Sequence, residues 1–218
     1  MLPARLRILY LHGFASSPES RKARFFSERL RQHGFSVDTP DLAKGDFSKL
    51  TITGQLQLIE ELLGTEPAVL IGSSLGGYLA ALYASRHPSI AKLILLAPAF
   101  RFHQLWMSRL TPAQLAAWKQ TNAIPVFHYG AGREMPLGYQ FIEDAGRHEL
   151  IPGFIQPALI FHGIYDDVVP LEYSSEFARR HPNARLVPLQ SGHELTDVLE
   201  EIWRQSEEFL LGQVPNSE

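Results

Sequence analysis

Six short apolar runs punctuate this chain, at 8–11, 35–37, 68–71, 93–96, 158–161 and 185–189. Most are continuously apolar rather than alternating, the pattern of strands covered on both faces. Helical signals separate them. Ser17-Pro18 reads as the start of a helix that stops at Gly34, following the proline-first, glycine-last asymmetry of helix ends. Further helices are expected at about 53–63, from Ser74 to before Pro88, at 171–180 and at 195–211. Residues 213–218 read as a frayed tail. Strand–helix alternation of this kind argues for a parallel sheet between two helical layers.

One interval breaks the rhythm. Between about 100 and 155 the chain is far longer than a crossover requires. Thr111-Pro112-Ala113-Gln114 reads as a capping box opening a helix to about Gln120. Gly130-Ala131-Gly132 marks a hairpin, and a further helix is expected over 139–148. The expectation is one domain over 1–218 carrying an insertion at about 100–155. Aromatic residues crowd the insertion, among them Phe102, Trp106, Trp118, Phe127, Tyr139 and Phe141. Singly they read as a satellite core; a few are expected to line a pocket. Arg101 and Arg133 are candidates to meet a substrate carboxylate, though solvated arginines are commoner. The run Arg21-Lys22-Ala23-Arg24 reads as a solvated helix face.

Composition narrows the chemistry. The 218 residues contain no cysteine, so thiol nucleophiles, thiolate metal sites and disulfides are excluded. Twenty Lys and Arg against 23 Asp and Glu leave a net charge of −3, with no basic excess to bind nucleic acid. No run approaches the roughly 20 apolar residues of a membrane span. Residues 5–11 are too short for a signal-peptide core, so a soluble, cytoplasmic protein is expected.

The strongest local signal is Gly72-Ser73-Ser74-Leu75-Gly76-Gly77, directly after an apolar run and directly before a helix. A serine on a sharp strand-to-helix turn needs small neighbours on both sides, because the turn presses them against adjacent chain. The plainer reading is a glycine-rich turn for close helix–strand packing. Serine also needs a base, and the base needs an acid to fix its tautomer. Candidates follow in the order this architecture uses: an acid in His162-Gly163-Ile164-Tyr165-Asp166-Asp167, then a base in Ser191-Gly192-His193. Asp166 is preferred over Asp167, which leads straight into Val168-Val169-Pro170. Of nine histidines, His193 alone follows the last strand with a glycine before it. His12 and His162 each precede a glycine at a strand end and read as turn-bonding residues. His193-Glu194 superficially opens a zinc motif, but position 197 is Asp and the second histidine is missing.

In a sheet of order 2-1-3-4-5-6, the loops after strands 1 and 3 flank the topological switch point, where ligands bind. Those loops carry Phe14 and Leu75, whose N–H groups are then candidates for an oxyanion hole.

With these segments in view, the chain resembles the α/β-hydrolase superfamily over nearly its whole length. Leu11-His12-Gly13-Phe14-Ala15-Ser16-Ser17-Pro18 and Gly72–Tyr78 resemble small bacterial esterases of the YqiA/YcfP type. Tyr139-Gln140-Phe141-Ile142 through His162–Pro170 is similar to the mitochondrial abhydrolase-type palmitoyl-protein thioesterases. The resemblance implies a three-layer fold with a helical cap, no cofactor, and a triad of Ser74, Asp166 and His193. Ala15 stands where the bacterial esterases usually show Asn, which affects a side-chain contact and leaves a backbone donor untouched. The activity expected is that of a serine hydrolase cleaving carboxylic esters or thioesters with an apolar acyl or alcohol group through an acyl-enzyme, on a small molecule or an acylated protein. A small peptidase or amidase, and a ligand-binding protein without catalysis, are the alternatives.

Overall fold

The computed structural model describes residues 6–212. Six parallel strands form its main sheet: β1 (Arg7–Leu11), β2 (Val37–Asp38), β3 (Ala68–Ser73), β4 (Ile90–Leu96), β7 (Ala158–Gly163) and β8 (Ala184–Leu189), in the order β2-β1-β3-β4-β7-β8. This is the expected 2-1-3-4-5-6 order, with two further strands in the interval between β4 and β7. The central strands are buried throughout, which accounts for their continuous apolar runs.

Alternate residues of β1 face opposite layers. Leu9 and Leu11 pack towards α2 (Ile52–Leu63), α3 (Leu75–Ala84) and α7 (Leu171–Arg180). Ile8 and Tyr10 pack towards α1 (Arg21–Gln32) and α8 (Leu199–Leu211). The helices after β1 and β3 therefore lie on opposite faces, and the switch point falls between those strands.

The β4–β7 interval holds α4 (Phe102–Arg109), α5 (Pro112–Thr121), the antiparallel hairpin of β5 (Ile124–His128) and β6 (Arg133–Leu137), and α6 (Gln140–Ala145). The Thr111–Gln114 capping box forms with both of its reciprocal bonds. Trp118 is buried, and its indole N–H donates to the Leu137 carbonyl at 2.8 Å, tying α5 to the hairpin. Phe102, Trp118 and Phe141 join the core of the sheet, as a satellite core does, whereas Phe127 and Tyr129 stand exposed on the hairpin.

Four boundaries depart from expectation. Helix α1 is capped by Ser20, whose Oγ accepts from the Ala23 N–H, because two successive turns occupy the chain from Gly13 to Ser20. Strand β2 is a two-residue strand displaced towards Asp38. Helix α6 stops at Ala145 with Gly146 as its cap. Helix α8 begins at Leu199, since Leu195 lies at φ 55° and interrupts any earlier start. Helix α4 and a 3-10 turn at Phe47–Lys49 have no counterpart in the sequence reading. The tail at 213–218 lies outside the described residues. Among the described residues no helix is long and apolar enough to cross a membrane.

Candidate active site

Strand β3 runs into Ser74, which sits at φ 53° and ψ −115° before α3 begins. That conformation costs a non-glycine residue about 1–3 kcal/mol and persists only where the surroundings fix it. Here they do. The Ser74 N–H donates to the Leu96 carbonyl at 2.8 Å, and the Ser74 carbonyl accepts from Tyr78 and Ala99 at 3.0 Å each. The flanking glycines have no room for a side chain. A Cβ on Gly72 would lie 2.2 Å from the Gly76 carbonyl oxygen, and one on Gly76 would lie 2.1 Å from that of Leu11. The plainer reading of this turn, close helix–strand packing, is thus also true of it, and the two are compatible.

Strand edges carry the other groups to Ser74. His193 Nε2 lies 3.0 Å from Ser74 Oγ, and His193 Nδ1 lies 2.7 Å from Asp166 Oδ2. Asp166 Oδ1 accepts from the backbone N–H groups of Val168 at 2.9 Å and Val169 at 2.8 Å. Burial pushes the Asp166 carboxyl up, but its bonds to His162, His193 and the Val169 N–H outweigh that. Together they hold it well below the usual carboxylate range. Asp167 is exposed and makes no comparable contact, so the structure separates the two neighbouring aspartates.

The Phe14 and Leu75 N–H groups donate to no protein acceptor among the described residues. Gly13 packs against Ser73 and Ser74, with its Cβ position 3.6 Å from Ser74 Cβ, so the β1 loop lies beside the serine. His12 shapes that loop: Nδ1 bonds the Gly13 carbonyl at 2.9 Å and Nε2 accepts from the Leu42 N–H at 3.3 Å. Burial lowers its pKa, with the Gly13 bond opposing, which favours a neutral ring. It does bond the turn, as expected. The Phe14 ring stacks on Phe141 at 5.3 Å and meets Trp106 edge-on at 5.2 Å, joining the loop after β1 to the insertion. A narrow cleft lies alongside, lined by Phe14, Leu42, Phe47, Leu50 and Leu75.

Lys22, Arg101 and His162 take different places from those the sequence suggested. Lys22 is 8% exposed rather than solvated, and its Nζ donates to the Glu194 carbonyl at 2.8 Å, beside His193. Burial lowers its pKa against the pull of Glu194. Arg101 pairs with Glu176 at 3.1 Å and lies over the Tyr173 ring, so it is engaged with α7. Asp197, the residue that breaks the zinc motif, accepts from Ser191 Oγ at 2.5 Å. His162 proves to be a second imidazole on Asp166, with Nε2 3.1 Å from Oδ2. Its sequence context, one residue before a glycine, offered no signal of that.

The sheet order, the strained serine turn and the loop placement define the α/β-hydrolase fold. More narrowly, the chain belongs to the family described as "Uncharacterised protein family (UPF0227)", which it matches over residues 7–209. It is 27% identical over 207 residues to Monoacylglycerol lipase abhd6-B of Xenopus laevis, covering 89% of this chain and 57% of that protein. The chain thus spans little more than half the length of that relative. Its fold is shared with Est1E from Butyrivibrio proteoclasticus in a ferulic acid-bound structure, at TM-score 0.81 and 22% identity over 97% of this chain and 90% of that one. Mouse Alpha/beta hydrolase domain-containing protein 10 aligns at TM-score 0.78 and 20% identity, over 93% of this chain and 88% of that one.

Proposed function

We propose that this protein is a serine hydrolase that cleaves carboxylic esters or thioesters bearing an apolar acyl or alcohol group. The observation that carries the reading is the unbroken contact from Ser74 Oγ through the His193 ring to the buried Asp166 carboxylate. In the acylation step His193 Nε2 takes the Ser74 proton as Oγ attacks the carbonyl carbon. The carbonyl electron pair moves onto oxygen, where the Phe14 and Leu75 N–H groups stabilise it. Collapse of that adduct expels the alkoxide or thiolate, which leaves with the proton from His193. Water, deprotonated in turn by His193, then attacks the acyl-serine and releases the carboxylic acid. Asp166 stays ionised throughout, holding Nδ1–H so that Nε2 is free to accept.

The aromatic and aliphatic lining beside Phe14 supports an apolar substrate part. A relative named as a monoacylglycerol lipase supports an ester bond as the one cleaved. The test is labelling with a fluorophosphonate probe, followed by a panel of p-nitrophenyl esters and acyl thioesters of graded length. Wild-type protein is expected to label and Ser74→Ala to stay unlabelled; equal labelling of the two would refute the assignment.

A further inference from the structure

We propose that His162 is a positioning residue for the triad, acting through Asp166; this inference rests on the hydrolase reading above. His162 is fully buried, one residue before the end of β7. Its Nε2 lies 2.9 Å from the Val169 carbonyl and 3.1 Å from Asp166 Oδ2. Both neighbours are acceptors, so Nε2 carries a proton; it donates to the Val169 carbonyl and sets its positive edge against Asp166 Oδ2. On the other side Nδ1 lies 2.8 Å from Ser174 Oγ, whose hydroxyl donates to the neutral ring. Ser174 is itself fully buried on α7.

Packing alone does not account for this arrangement. A buried imidazole gives up hydration at both nitrogens, and an apolar residue of similar size would fill the same space without that cost. What the imidazole adds is a fourth N–H beside the carboxylate. A carboxylate has about four lone-pair sites. The Val168 and Val169 N–H groups occupy two on Oδ1, His193 occupies one on Oδ2, and the His162 N–H, shared with the Val169 carbonyl, fills the remaining approach to Oδ2. The carboxylate so enclosed cannot turn, and His193 therefore keeps a single orientation towards Ser74.

The fourth N–H also moderates the charge that His193 feels. The titratable and charged groups around Asp166 are His193 from the loop after β8, His162 from β7 and Lys22 from α1, with Glu194 paired to Lys22. His162 draws electron density from the same oxygen that His193 uses. Without it, Asp166 would hold the protonated His193 more strongly, and the base would stay protonated to higher pH.

The experiment measures kcat and KM against pH for His162→Phe, His162→Gln and Ser174→Ala, with thermal unfolding alongside. For His162→Phe the acid limb of kcat/KM is expected to rise by about 0.7 pH unit, the equivalent of one hydrogen bond of about 1 kcal/mol. kcat should fall several-fold with KM little changed. Gln keeps an N–H donor and should return the limb towards wild type. Ser174→Ala, a small substitution that tests the same bond where His162→Phe fails to fold, should move the limb the same way by less. An unmoved limb in the folded variants, with activity falling only in step with Tm, overturns the proposal. Low-field proton NMR of the ring N–H groups gives a readout independent of turnover. His162→Phe should remove one resonance and shift that of His193 Nδ1–H. A wild-type enzyme without esterase activity or probe labelling would refute the hydrolase reading, while an unshifted His193 resonance would refute the role of His162.

Discussion

Replacing Asp166 by Asn tests the constellation at its most sensitive point, because the change is isosteric and alters only the charge and the hydrogen-bond polarity. Asp166 accepts three N–H groups, and the His162 N–H faces its Oδ2 at 3.1 Å. An amide offers one acceptor oxygen. The backbone donors of Val168 and Val169 cannot turn away, so the oxygen stays with them and the NH2 faces His193 and His162. His193 must then present a lone pair at Nδ1, which moves its proton to Nε2, 3.0 Å from Ser74 Oγ. A ring in that tautomer cannot take the serine proton. Enforcing the wrong tautomer lowers turnover by about 10⁴ in serine triads on other folds, or about 5.4 kcal/mol of transition-state stabilisation. Loss of one charge-assisted bond alone would cost about 1.5–3 kcal/mol, a factor of roughly 10 to 150. The expected kcat/KM loss for Asp166→Asn is thus about 10⁴. Asp167→Asn, at an exposed position, should stay within about twofold of wild type. The assay is steady-state hydrolysis of a chromogenic ester, with circular dichroism to confirm folding. A folded Asp166→Asn retaining more than about one tenth of wild-type kcat/KM would refute the reasoning, as would an equal loss in Asp167→Asn.

Ser74→Gly should abolish turnover yet unfold about 1 kcal/mol harder than Ser74→Ala, since only glycine adopts φ 53° and ψ −115° without strain; urea denaturation checks it. The depressed pKa of Asp166 links stability to pH. A folded-state value below the unfolded one adds stability that is complete above pH of about 4 and is lost as pH falls towards the folded value. The stability difference between wild type and Asp166→Asn should therefore be widest near neutrality and shrink in urea melts taken below pH of about 4. Trp118→Ala should cost about 3–5 kcal/mol, as it removes a buried indole and leaves the Leu137 carbonyl without its donor; thermal unfolding measures it.

The parallel sheet was readable because both its faces are covered, which removes alternation from the strands and leaves continuous apolar runs. The Thr111–Gln114 cap was readable because all of its bonds are local. Where bonding is remote, the sequence is silent. Helix α4 follows Arg101, a residue in left-handed conformation with no side-chain cap, so nothing local announces its start. Lys22 looks like one member of a basic run, and only the fold brings Glu194, 172 positions away, to its Nζ. His162 differs from His12 by nothing visible in sequence, since each precedes a glycine at a strand end. One bonds the turn after β1 and the other lies against the Asp166 carboxylate, and the difference is which strand lies next to it.

The site glycines show how local and remote information meet. Gly76 reads in sequence as a requirement of the serine turn itself. In the structure the atoms that exclude a side chain there are the carbonyls of Leu11 and His12, where β1 ends and the Phe14 loop begins. Gly163 likewise lies where a Cβ would come 2.3 Å from the Ser191 carbonyl oxygen, so it sets how closely the Asp166 loop approaches the His193 loop. The Tyr165 N–H then donates to that same carbonyl at 3.0 Å. A turn motif in one segment thus encodes the spacing between two. The glycines of the acid and serine segments are contact residues between loops as much as conformational ones, and the three loops meet within hydrogen-bonding distance because each approach was cleared of its Cβ.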